Sequence, residues 1–327
     1  SIISQLLLPV QSNRGTLYLV DEINKIGSGF NFNKDFVLKS CLVLSDFADI
    51  AFKVDNFNSK NMTKIENNWD NIAKSIQSSV LLLSSYGYNR DTLTSNNAVI
   101  PIVYYLNKIG NPPNYELSVR YKDDREKVFQ WLTITLLKRA FGGQPDNILR
   151  PIRQVIKENN HSFPINAIVE KLKGSPRSIS FSDEEIDNLL DSKWGQKYTF
   201  SILSLLYPTL DYRNKFHIDH IYPRSILTYT KLTKRGIPED KVYEFMNKRD
   251  SLANLQLLEG LPNQEKSGKD FNEWVIETYP SLEERRDYLR KNHIPDTDLS
   301  LTNFINVFKE REDILRNKLT EILMLKM

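Results

Sequence analysis

From Phe32 to about Tyr207 the apolar residues recur at steps of three to five positions, and near Phe216 that spacing gives way to a short extended pattern. Phe36, Cys41, Leu44, Phe47 and Ile50, then Trp69, Ile72, Ile76, Val80 and Leu83, mark one side of successive helices. Turn signals separate the runs: Gly87-Tyr88-Asn89, Gly110-Asn111-Pro112-Pro113, Gly142-Gly143-Gln144-Pro145 and Gly174-Ser175-Pro176. The spacing predicts about six helices with short connections.

One long helix is expected from Asp123 to about Arg139, with acids in its first turn and bases in its last. Ser182 and Glu185 have capping-box spacing ahead of Ile186, Leu189 and Leu190. After Phe216 the reading changes. Phe216 to Ile221 reads as a strand stopped by Pro223, and Asn254 to Leu258 as a second. Pro238 to Lys248 lies between them as a helix, and Asn303 to Met327 is amphipathic, with Phe304, Phe308, Leu315, Leu319 and Ile322 on one side. The expected fold class is mainly α with a small α+β part: a multi-helix domain over 1–204, then a second domain over 205–327.

Composition narrows the functional classes. The 327 residues suffice for two domains at roughly 150 residues each. Hydrophobic residues are 40% and charged residues 26%, the balance of an ordinary globular chain. A net charge of +3 does not by itself announce a nucleic-acid partner. The single Cys41 excludes an internal disulfide and a cysteine-based zinc cage, which suits a reducing cytoplasm. The apolar stretches Val80 to Leu83 and Ala98 to Leu106 fall short of the roughly 20 residues that cross a bilayer, so no membrane partner is expected. Ser1 to Val10 lacks an initiator Met, a basic region and a cleavage site, and reads as the cut edge of a longer protein.

Two of the chain's four histidines fall in one hexapeptide, Phe216-His217-Ile218-Asp219-His220-Ile221. Asn254 follows 34 residues after His220, in Leu252-Ala253-Asn254-Leu255-Gln256-Leu257-Leu258, and Asn263, Lys266 and Lys269 come next. Hydrolysing a phosphodiester needs a base for water and a cation for the charge growing on the leaving oxygen. A neutral imidazole serves the first need. A carboxylate and an amide oxygen, with room for water and phosphate, serve the second through Mg²⁺ or Mn²⁺.

The DHxxP element, the NLxLL strand and the NxxK element resemble the ββα-metal finger of HNH endonucleases, most closely the C-terminal nuclease domain of GmrSD-type, modification-dependent restriction proteins. The resemblance implies His220 as general base, Asp219 and Asn263 as ligands of Mg²⁺ (or Mn²⁺), and Asn254 as the brace of the loop carrying the base. It implies DNA as substrate, modified or phage DNA included, cut or nicked in restriction or phage defence to leave 5′-phosphate and 3′-hydroxyl ends. Segments such as Phe36-Val37-Leu38-Lys39, Asn68-Trp69-Asp70-Asn71-Ile72, Ser95-Asn96-Asn97-Ala98 and Phe141-Gly142-Gly143-Gln144-Pro145-Asp146 resemble that family's helical region. The family's N-terminal regulatory domain, with its DGQQR motif, has no counterpart here; nor is there a GxxxxGK[ST] phosphate loop. The chain is therefore expected not to hydrolyse nucleotides by itself.

Arg213 to Arg249 holds nine basic residues against four acids. Arg224, Lys234 and Arg235 within it, and Lys266 and Lys269 beyond it, are candidates for the phosphate backbone, against the alternative of solvated faces. His217 is open between a phosphate or second-metal contact and a hydrogen-bonded strand histidine. His161 and His293 are read as structural. Two rival functions stand beside the DNA nuclease: a binding module with an inactive HNH-like fold, and a nuclease directed at RNA.

Overall fold

The computed structural model describes residues 10–324 apart from 160, 209, 215, 261, 263–265 and 267. The chain is mainly helical, with one two-stranded antiparallel sheet among the described residues. It divides into two compact units between Ser180 and Phe181, and not at 204/205 as the sequence suggested.

In the first unit the helices are α1 (Val10–Asn24), α2 (Lys34–Leu44), α3 (Ser59–Asn67), α4 (Trp69–Ser85), α5 (Ile100–Lys108), α6 (Lys122–Leu137), α7 (Asp146–Glu158) and α8 (Ile165–Leu172). Helix α5 is apolar all round from Ile100 to Leu106, and every residue of that run is buried. A helix without a polar face must be enclosed, and α2, α4 and α7 pack around it. Asn33 caps α2 by accepting a hydrogen bond from the Phe36 amide. The run expected to continue through Phe47 and Ile50 stops at Leu44, where Asp46 takes a left-handed φ of 54°. Cys41 is fully buried, which pushes its thiol up to about 12.

The second unit begins with α9 (Asp183–Leu190) and α10 (Thr199–Leu206). Ser182 and Glu185 form the reciprocal capping box that their spacing suggested. Next come β1 (Phe216–His220), α11 (Tyr229–Lys234), α12 (Glu239–Lys248), β2 (Leu255–Glu259), α13 (Phe271–Thr278), α14 (Leu282–Lys291) and α15 (Phe304–Leu323). Strands β1 and β2 pair antiparallel, with Asp219 opposite Gln256 and His220 opposite Leu255. Helix α15 is the spine, packing against α9, α10, α12 and the turn Leu252–Asn254.

That packing explains the shifted boundary. All eight residues of α10 are buried, and the chain just before it is tied to the segment preceding β2: the Leu252 amide donates to Ser192 O at 2.8 Å and the Trp194 amide to Asp250 O at 2.7 Å. Nine helices, more than the expected six or so, lie between Phe32 and Tyr207 among the described residues. Several have only eight or nine residues, too few for a periodic stripe to separate them from their neighbours. No helix among the described residues is long and apolar enough to cross a membrane.

Candidate functional site

Strand β1 carries the residues singled out in the sequence. Neighbouring side chains of a strand leave on opposite faces, and the partners of Asp219 and His220 follow that rule. On one side, Asp219 Oδ2 accepts from Lys266 Nζ at 2.7 Å and from Gln256 Nε2 at 3.0 Å. Tyr288 in turn donates its hydroxyl to Gln256 Oε1 at 2.9 Å, so the carboxylate is oriented from two directions. Lys266 Nζ also donates to the His220 carbonyl.

On the other side, His220 is 8% exposed, with Nε2 at 2.9 Å from Asp250 Oδ1. Asp250 is also approached by Arg249 at 3.1 Å and Arg224 at 3.3 Å. Burial works to raise the Asp250 carboxyl, yet the Arg249 guanidinium and the His220 ring hold it below the usual carboxylate range. An ionised carboxylate can only accept, so Nε2 of a neutral His220 carries the proton and the free lone pair lies on Nδ1. Burial pushes His220 below its ordinary value, against the opposing pull of Asp250 and Asp219. A neutral imidazole with one nitrogen oriented by a carboxylate is equipped to take a proton.

Asn254, 1% exposed, clamps the chain that follows His220. Its Oδ1 accepts from the Tyr222 amide at 2.9 Å, and its Nδ2 donates to Tyr222 O at 3.1 Å and Arg249 O at 2.7 Å. The Ile221 amide reaches Asn254 O at 2.8 Å. One side chain therefore ties the loop after the imidazole to the loop carrying Asp250.

Asn263, the expected second metal ligand, lies outside the described residues. Asp219 Oδ1 accepts from no described residue, and an oxygen donor of this kind suits a hard divalent cation. No group of three or more His, Cys, Asp or Glu side chains that could hold a metal occurs among the described residues.

The remaining candidates scatter. His217 is exposed on β1, in register with Leu258. Arg224 is half exposed beside Asp250, and Lys234 is exposed near the end of α11. Arg235 pairs with Asp270 at 2.8 Å and Lys269 with Glu277 at 2.6 Å. Lys266 departs from the solvated face considered for it: it is 0% exposed, and burial lowers its pKa against the pull of Asp219.

Sequence reasoning missed Asp250, Gln256, Tyr288, Trp194 and Arg311. Gln256 could have been found, since it sits in the NLxLL strand two residues after Asn254. Arg311 is 0% exposed and donates to the carbonyls of Leu252 and Ala253, bracing the turn before Asn254 from α15. Nothing local in the sequence distinguishes it from a surface arginine. No family model matches the chain, and no curated protein matches it.

Proposed function

We propose that this chain is a metal-dependent HNH endonuclease that cuts or nicks DNA, working in the cytoplasm as part of a restriction or anti-phage system. The observation that carries the reading is the pairing of the two motif strands, with Asn254 clamping the backbone of Tyr222 two residues after His220. Two short sequence elements separated in the chain by two helices would have little reason to meet in this way around a lone surface turn.

In this reading His220 Nδ1 takes a proton from water as its oxygen attacks the phosphorus, and the bond to the 3′-oxygen breaks. Asp250 keeps the ring in the required tautomer and orientation. Asp219 and Asn263 would hold the cation, which supplies charge neutralisation at the leaving oxygen. The products carry 5′-phosphate and 3′-hydroxyl ends.

One observation favours a second reading, an inactive nucleic-acid-binding module: the buried Lys266 ammonium already neutralises Asp219. Plasmid nicking in Mg²⁺ or Mn²⁺ decides between them. The nuclease reading expects metal-dependent nicking, lost in His220→Ala and in Asp219→Ala. Full activity in either variant sinks it, and no nicking in either metal, with plasmid binding retained, favours the binding module. Parallel cleavage of an RNA substrate tests the third possibility.

A further inference from the structure

Trp194 is treated differently from the tryptophans of the cores. Trp131 and Trp274 are 0% and 1% exposed, whereas Trp194 keeps 46% of its surface in solvent. Its ring centroid lies 5.8 Å from that of His220, and the Arg224 guanidinium sits 5.3 Å from the centre of the indole. The large aromatic at the candidate base is thus half open to water and already in contact with a cation.

The position is rigidly held. The Trp194 amide donates to Asp250 O at 2.7 Å, and Lys193 bridges antiparallel to Ser251. Thr199 Oγ1 donates to Lys193 O at 2.6 Å, closing the loop from the far side. Gly195 turns the chain at a φ of 84°, where a side chain would be strained. Lys193 and Lys197, one residue before Trp194 and three after it in the chain, are both exposed. Holding an aromatic in place while leaving it wet carries a cost in apolar exposure that burial would have avoided.

We propose that Trp194, with Arg224 against its ring, is a stacking platform for an unpaired nucleobase next to the phosphate that reaches His220. The identity of the ligand rests on the nuclease reading; the platform itself rests on the geometry above. Every base has a π face, so an indole accepts any of them with little sequence preference, and a guanidinium beside it is placed for the adjoining phosphate. A base stacked within a duplex has no face to offer. The platform therefore favours a strand that is single, frayed or distorted at the point of cutting. Were Trp194 only a cover for the imidazole, its removal would alter stability and leave oligonucleotide affinity unchanged.

The test uses the full chain in chelator, so that no cleavage occurs, and follows tryptophan fluorescence during titration. The probes are a ten-nucleotide oligothymidylate, an abasic strand of the same length and charge, and a blunt duplex. Saturable quenching is expected with the oligothymidylate, absent in Trp194→Phe and much weaker with the other two probes. Anisotropy of labelled oligothymidylate should show binding roughly 10-fold weaker in Trp194→Ala, with Trp194→Phe recovering most of it. Equal affinity of the wild-type chain for the abasic strand and the oligothymidylate overturns the platform even if Trp194→Ala fails to fold, as does unchanged affinity in a folded Trp194→Ala. Absence of nicking in every metal, with quenching as expected, removes the nuclease reading and upholds the platform. Normal nicking with equal binding of the abasic strand removes the platform and spares the nuclease.

Discussion

Asp250 Oδ1 lies 2.9 Å from His220 Nε2, joining two residues 30 positions apart in the chain. The carboxylate is no part of the motif that singled out His220, yet it fixes which nitrogen of the ring is free. It is itself fixed by Arg249 and Arg224, so its orientation does not depend on the histidine alone.

If His220 is the base, Asp250→Ala should slow metal-dependent nicking by roughly 100-fold, the lower end of what positioned acid–base catalysis contributes. Asp250→Asn retains an oxygen acceptor for Nε2–H and should recover part of that loss. Initial rates at saturating plasmid measure both. A rate unchanged in Asp250→Ala would mean that the carboxylate only satisfies its two arginines.

Lys266 and Asp219 form the most buried ion pair of the second unit's described residues, with side-chain exposures of 0% and 13%. Removing one partner of such a pair leaves the other charge uncompensated. Lys266→Met should therefore destabilise the chain by roughly 3–5 kcal/mol. Adding Asp219→Asn should return a large part of this, because the remaining amide needs no counter-charge. Urea unfolding of the wild type, both single variants and the double variant closes the cycle. Additive losses in the double variant would show that the two side chains act independently.

Asp124 on α6 joins four groups of the first unit. Its Oδ2 accepts from the hydroxyls of Tyr105 and Tyr115, and its Oδ1 from the Ser162 hydroxyl and the Phe163 amide. Asp124→Ala leaves two largely enclosed tyrosine hydroxyls without their acceptor and should cost about 2–4 kcal/mol. Asp123→Ala, an exposed neighbour in the same first turn, should change stability by only a few tenths of a kcal/mol. Equal urea midpoints for the two variants would contradict the assignment.

That pair of aspartates marks the limit of what the sequence discloses. Both read as favourable charges at a helix start, and they are; that one of them anchors tyrosines on α5 and in the loop before α6 depends on tertiary contacts with no local signature. The strands were legible for the opposite reason. Pro223 bounded the extended stretch Phe216 to Ile221 that holds β1, the short stretch Asn254 to Leu258 gave β2 to within a residue, and Pro238 marked the start of α12. Lys266 shows how a short motif can mislead about environment: its NxxK position suggested an outward lysine, but the groups that draw it inward, Asp219 and the His220 carbonyl, are 47 and 46 residues away. The boundary moved for a similar reason. Helix α10 has the same apolar character as the helices before it, and only its partners assign it to the second unit.

His293 gives the second unit a defined sensitivity to acid. Its Nε2 donates to Leu206 O at 2.7 Å, and it sits in the left-handed region at a φ of 54°. Burial pushes the imidazole below its ordinary 6.5, reinforced by Arg311 and Lys318 and opposed by the Leu206 carbonyl. A histidine whose folded pKa is depressed contributes stability that is fully present above the unfolded value and is lost as pH falls through the folded one. His220 is shifted the same way, so the loss should begin below about pH 6.5 and come from both rings. The urea midpoint of the chain should therefore drop between pH 7.5 and pH 5.5. His293→Asn keeps a donor for Leu206 and tolerates the left-handed backbone while carrying no titrating charge. Its midpoint should fall less over the same interval, and a slope identical to that of the wild type would remove His293 from the account.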